Sequence, residues 1–271
     1  MAENPPSPPP RGNGPSGPGN GAAPGRGGGA PPHAPESAAF PEGVPCWIDV
    51  QLSDIEAGKR FYGELFGWTF QEAHGSSVWA HLGGRPVAAL VPKRDGRMPT
   101  VWTVYFATPD VVALAGRIRA GGGQVVIPPT RVDTLGTAAL AADPEGAVFG
   151  LWQAGTHAGF GKRHEPGSFT WAELYARDTA AVNTFYTRLF HDALFGPGAA
   201  PDFGRAPLQD VFPAEMPPHF LVHFGVGDGA ATLAAVARLG GRVQVPPFET
   251  SYGRVAVVTD DQGASFALLQ R

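Results

Sequence analysis

The chain has 271 residues, 43% of them hydrophobic, with a formal net charge of −4 and a single cysteine, Cys46. That is enough apolar material for one sizeable core or two small ones, and no block of like charge supplies the basic stripe that a nucleic acid or an acidic membrane would need. One cysteine excludes an intrachain disulfide framework and fits a reducing cytoplasm, and neither a bilayer-length apolar run nor a signal-peptide core is present.

Residues 1–43 contain no Leu, Ile or Val, and Phe40 is their sole Phe, Tyr or Trp. A stretch of Pro, Gly, Ala and Ser cannot bury enough apolar surface to offset its ordering entropy, so a disordered Pro/Gly-rich tail is expected there. From Cys46 the pattern changes. Residues 47–52 alternate as a strand, and Asp54 suits the N-cap of a helix running to Leu65. Apolar stretches near 68–72, 78–82 and 86–91 read as three strands, with Gly83-Gly84 as a hairpin turn. The same order then restarts. A strand at 101–107 precedes a helix from Asp110 to about Ala120, which Gly121 to Gly123 ends. Strands follow at 124–127, 136–142 and 147–153, and Asp143-Pro-Glu-Gly146 suits a type I turn between the last two.

The chain repeats itself. Trp47-Ile-Asp-Val-Gln-Leu-Ser-Asp54 aligns with Trp171-Ala-Glu-Leu-Tyr-Ala-Arg-Asp178, Phe61-Tyr62 with Phe185-Tyr186, and Leu65-Phe66 with Leu189-Phe190, all at an offset of 124. Further on, Asp110 pairs with Asp228, Pro128-Pro129 with Pro246-Pro247, Asp143-Pro-Glu-Gly146 with Asp260-Asp-Gln-Gly263, and Phe149 with Phe266. The expected organisation is a tail over 1–43, one module over 44–153, a linker over 154–167 and a second module over 168–271. The segment 169–212 is the degenerate unit, because Gly196 to Pro207 is rich in Gly, Pro and Ala.

Tandem strand-helix-strand-strand-strand units with this Trp/Asp strand, Phe-Tyr helix and Asp-Pro-Glu-Gly-x-x-Phe ending resemble the glyoxalase / bleomycin-resistance / extradiol-dioxygenase (vicinal oxygen chelate) superfamily. Asp49 to Trp68 is similar to the two-module glyoxalase-like proteins common in actinobacteria. The resemblance implies an α+β fold, with tandem βαβββ units forming two modules of concave mixed sheet. It also implies a place for a divalent metal, held by His, Gln or Glu on the first strand of each unit and a Glu on the last. Those positions carry Trp47, Trp171, Thr103, Leu221, Gly150 and Ala267, a poor donor set, so neither a metal nor another cofactor is expected.

Strand parity puts Ile48, Val50 and Leu52 under the helix and leaves Trp47, Asp49 and Gln51 on the concave face. In the second half Trp171, Glu173 and Tyr175 take the same side, joined by Tyr105, His223 and Trp152. Aromatic walls with few polar groups suit a small aromatic or apolar molecule. Asp49, Glu173 and His223 are the candidate acids or bases of a metal-independent isomerase, cyclase or hydrolase. The plainer alternatives are tryptophans that merely fill the concavity, carboxylates paired at strand edges and a hydrogen-bonded structural histidine. A third possibility is an interaction module whose pocket its own tryptophans close. A displaced metal site drawn from Asp49, His81, Glu173 or His223 is a minor option. The expected partner is a small organic molecule, with no nucleic acid and no membrane, and the chain acts as a monomer or homodimer.

Overall fold

Strand β1 (Pro45–Leu52) opens the fold in a computed structural model that describes residues 40–73, 75–199, 201–213 and 215–271. The expected disordered tail falls largely on residues 1–39, which lie outside the described ones. Within 40–43 the chain is held in place. The Gly43 amide donates to the Ala107 carbonyl at 2.9 Å, and Glu42 pairs with Arg117.

Ile48, Val50 and Leu52 of β1 are fully buried, which is the face that alternation assigned to the core. Helix α1 (Ile55–Phe66) starts where the Asp54 carboxylate accepts from the Ala57 amide and stops at Gly67 in the left-handed region. Strands β2 (Thr69–Glu72), β3 (Val78–Leu82) and β4 (Arg85–Pro92) follow. The β3–β4 hairpin turns on Gly83 and Gly84, with φ of 58° and 75°, as a two-residue turn of this hand requires. A second unit repeats the order with β5 (Trp102–Ala107), α2 (Val111–Ala120), β6 (Gln124–Val132), β7 (Gly136–Ala142) and β8 (Val148–Ala154). The two units form one eight-stranded mixed sheet, ordered β2-β3-β4-β1-β5-β8-β7-β6, in which β1 and β5 run antiparallel.

The second sheet contains β9 (Phe169–Ala176), β10 (Phe203–Pro207), β11 (His219–Gly225), β12 (Arg242–Thr250), β13 (Gly253–Thr259) and β14 (Ser265–Gln270). Its helices are α3 (Thr179–Phe195) and α4 (Gly229–Arg238). The order is β10-β9-β11-β14-β13-β12, six strands instead of eight. The difference lies in the degenerate unit. After α3, the Gly- and Pro-rich stretch yields one strand and a single 3-10 turn (Leu208–Asp210) in place of three strands. Helix α3 is also kinked at Phe190, whose side chain lies where Gly43 crosses; a Cβ on Gly43 would stand 2.7 Å from it.

One hydrophobic core joins the two sheets. Trp102, Val104 and Phe106 of β5 face Phe220, Val222 and Phe224 of β11, and all six belong to the same buried cluster. Helix α1 adds Phe61, Tyr62 and Phe66 against Phe266. Each sheet therefore turns one face to this shared core and the other to a concavity of its own. Among the described residues no helix is long and apolar enough to cross a membrane.

Candidate functional site

On the face of the first sheet away from the core, a cavity of about 130 Å³ is lined by Trp47 and Asp49 of β1, Trp79 of β3, Tyr105 of β5 and Trp152 of β8. Gln51 follows on β1 but falls outside the lining. Trp47 and Trp79 tilt against each other with centroids 6.0 Å apart. The Tyr105 hydroxyl donates to Asp49 Oδ2 at 2.8 Å, whereas Oδ1 is buried without a hydrogen-bond partner. Burial pushes the Asp49 carboxyl up to about 6, opposed by the Tyr105 hydrogen bond and by the nearby Thr103 hydroxyl. The Thr103 hydroxyl influences the charge but makes no geometrically sound bond to Oδ1.

A strap after β8 completes the wall. The amides of Gly155 and His157 donate to the Leu135 carbonyl at 2.8 and 3.1 Å, Phe160 to Cys46 at 2.8 Å and Gly161 to Pro86 at 2.8 Å. These bonds lay residues 155–161 across the rim of the sheet. They bring His157 within 4.5 Å, centroid to centroid, of both Trp47 and Trp79, while Trp152 Nε1 donates to the His157 carbonyl. Among the described residues nothing accepts from or donates to His157 Nε2. Burial lowers the imidazole to about 4, so it is neutral at physiological pH.

The corresponding face of the second sheet is filled. Leu208 and Phe212, from the 3-10 turn and the residues after it, pack with Tyr175, Leu221, Val257 and Ala267 in a separate apolar cluster. Glu173 accepts from Trp171 Nε1 at 2.7 Å and from the Tyr252 hydroxyl at 3.3 Å. Burial raises its pKa, and these two donors and the Arg205 charge counter the rise. His223 is wholly buried; its Nδ1 lies 3.1 Å from the Leu221 carbonyl, Nε2 has no partner, and burial lowers it to about 4. The residues singled out from sequence thus divide between two faces. Trp47, Asp49, Tyr105 and Trp152 share a cavity, and Trp171, Glu173, Tyr175 and His223 lie on a face that other side chains cover.

Residues 46–151 match the family model described as Glyoxalase/Bleomycin resistance protein/Dioxygenase superfamily. "Putative glyoxylase CFP32" of Mycobacterium tuberculosis is 35% identical over 255 residues, covering 87% of this chain and 98% of the relative. The chain belongs to this superfamily. "Anthracycline biosynthesis protein DnrV" of Streptomyces peucetius is 33% identical over 261 residues, covering 85% of this chain and 94% of its own. Among solved structures, the Mn(II)-bound glyoxalase from Novosphingobium aromaticivorans superposes with a TM-score of 0.58 at 14% identity, covering 84% of this chain and 82% of that one. A variant of homoprotocatechuate 2,3-dioxygenase from B. fuscum gives 0.61 at 12% identity, covering 88% and 74%. At such identity the likeness is one of fold alone.

The superfamily's ligand positions have a distinct geometry here. The Tyr105 ring lies directly on Gly150, where a Cβ would stand 2.1 Å from the ring carbon Cδ1. The phenol thus occupies the volume into which a carboxylate at 150 would project. Thr103 lies opposite Asp49 in the β1–β5 register, and Leu221 opposite Glu173 in the β9–β11 register. Asp49 and His81 are on one sheet and Glu173 and His223 on the other, and among the described residues no three His, Cys, Asp or Glu side chains converge. Two ring-bearing residues of the cavity, Trp79 and His157, are not among the candidates that the sequence offers. Trp79 was recoverable by parity, since its neighbours Val78 and Ala80 are buried at 2% and 0% exposure. His157 was not, because backbone bonds in a segment read as linker place it.

Proposed function

We propose that the chain binds a small aromatic or apolar molecule, about one ring in size, in the cavity over the first sheet. The observation that carries this reading is an aromatic-walled space of about 130 Å³ with two polar side chains, Asp49 and His157, whose hydrogen-bonding capacity is unfilled. An apolar cavity of ~150 Å³ accepts benzene, so this one suits a single ring, and a larger fused system would need the strap to move. The name of the Streptomyces peucetius relative, an anthracycline biosynthesis protein, favours an aromatic ligand class. Indole, methyl, leucine and hydrogen cannot ligate a divalent ion, and the Tyr105 ring blocks the last-strand position, so the residues present do not fit the superfamily's metal. We further read the protein as cytoplasmic, with a small organic partner and no nucleic acid, acting as a monomer or homodimer.

Titrating one-ring aromatics while following tryptophan fluorescence and melting temperature tests the proposal. Saturable quenching at one equivalent per chain, with a melting shift that grows with ligand concentration, is the expected result. Two equivalents would place binding in both concavities, and no response to any compound would remove the reading.

A second reading makes Asp49 a proton acceptor in a metal-independent isomerisation, cyclisation or hydrolysis. Its unfilled oxygen and its titration near 6 favour this role. On this reading Asp49→Asn still binds a compound that the wild type converts but forms no product from it, as mass spectrometry of the mixture would reveal.

A further inference from the structure

The two concavities pose the same electrostatic problem and solve it differently. Asp49 and Glu173 occupy equivalent positions on β1 and β9, each two residues after a tryptophan. In the filled concavity the carboxylate has two donors, Trp171 and Tyr252, and the attraction of the Arg205 guanidinium. In the open one it has, among the described residues, a single hydrogen-bond donor, Tyr105. Among the described residues no Lys or Arg lines that cavity, and none pairs with Asp49.

We propose that the ligand of the first-sheet cavity carries a positive charge, an organic ammonium group held between the Asp49 carboxylate and the surrounding aromatic rings. The inference rests on the reading of this cavity as the ligand site and adds the chemical class of the occupant.

Three features converge on it. A carboxylate accepts about four hydrogen bonds, and Asp49 receives one, so donors are wanted and acceptors refused. Trp47, Trp79, Trp152 and Tyr105 line the cavity, and an aromatic ring attracts a cation to its electron-rich face and repels an anion from it. His157 is neutral through burial, and its unpartnered Nε2 can accept a hydrogen bond from an ammonium N–H. At neutral pH most Asp49 is ionised, so the entering group meets a negative charge that the protein leaves unbalanced. The ammonium supplies at this position what Arg205 supplies in the other half.

Three isosteric probes test this at pH 7.5: benzylammonium chloride, benzyl alcohol and ethylbenzene, titrated into the full chain by calorimetry. Benzylammonium should bind at least about tenfold more tightly than benzyl alcohol, which lacks the charge, and ethylbenzene should be weakest. In Asp49→Asn the advantage of benzylammonium over benzyl alcohol should shrink to about twofold or less. Equal affinity for all three probes in the wild type would overturn the charge inference while leaving the aromatic site standing. No binding of any probe would remove both. A benzylammonium preference that survives Asp49→Asn would place the cation elsewhere and also overturns the proposal. Should Asp49→Asn fail to fold, the wild-type series alone decides.

Discussion

Asp49 is a residue held at a cost to the fold. Its carboxyl titrates near 6 because burial disfavours the charge and one phenol is too little compensation. An acid whose pKa is higher folded than unfolded holds its proton more tightly in the folded state. Its contribution to stability is therefore fully present below the unfolded pKa near 4 and is lost as pH rises through about 6. Asparagine keeps an acceptor for Tyr105 and removes the charge. Asp49→Asn should accordingly be more stable than the wild type by about 1–3 kcal/mol at pH 7.5, because burial raises the carboxyl from its ordinary value to about 6. The gap should close at about pH 3, where the carboxyl is protonated in the folded and the unfolded chain alike. Urea denaturation at the two pH values measures both, and equal stability at pH 7.5 would show that Asp49 is better solvated than its surroundings indicate. Gain of stability with loss of ligand is the trade expected of a binding residue. Parity was enough to place Asp49 beside Trp47 and opposite the buried Ile48 and Val50. It carried no information about charge balance, which depends on partners from β5.

At the scale of elements, the last hairpin turn of each half caps the first helix of the other. Glu145 accepts from the amides of Arg177 and Asp178, both at 2.7 Å, just ahead of α3. Gln262 does the same for Ser53 and Asp54 ahead of α1, at 3.0 and 2.9 Å. The helices answer with a tyrosine each: the Tyr62 hydroxyl donates to Asp260 at 2.8 Å, and Tyr186 to Asp143 at 3.2 Å. The repeat offsets made Tyr62/Tyr186 and Asp143/Asp260 visible as matched pairs. That a tyrosine of one pair meets an aspartate of the other was not visible, because a helix aromatic reads as core and an Asp-x-x-Gly reads as a local turn. Both local readings hold, and the tertiary contact is added to them. Tyr62 also accepts from Trp102 Nε1 at 3.2 Å, so its hydroxyl serves two buried groups where that of Tyr186 serves one. Tyr62→Phe should cost about 1–3 kcal/mol and Tyr186→Phe less, since the first strands two polar atoms and the second one. Chemical denaturation of the two variants gives the order, and a larger loss for Tyr186→Phe would contradict it.

For the whole molecule, the helix–strand order of three of the four units was readable from periodicity, caps and turn glycines, because those signals are local. The third unit faded in the sequence for a physical reason. Its Gly- and Pro-rich stretch forms one strand, β10, against β9, and the other two strands are replaced by a turn whose Leu208 and Phe212 cover the second concavity. Duplication thus leaves one open cavity and one filled one. What duplication could not tell was whether the halves close on each other within one chain. They do, through a core in which Phe106 stacks on Phe190 at 5.2 Å and meets Phe203 at 5.0 Å and Phe220 at 5.7 Å. Cutting the chain between Lys162 and Arg163, after the strap, would expose that aromatic face on both pieces. Residues 40–162 and 163–271 should each fail to give a cooperative melt alone, since the face that anchors their helices has no counterpart in the isolated piece. Co-expressed, they should recover a one-to-one complex with the wild-type near-UV dichroism and an intact first cavity, because every residue lining it belongs to the first piece. A cooperative, monomeric melt of 40–162 alone would mean that the first sheet and its helices are stable without the second, and that the shared core adds to two finished folds.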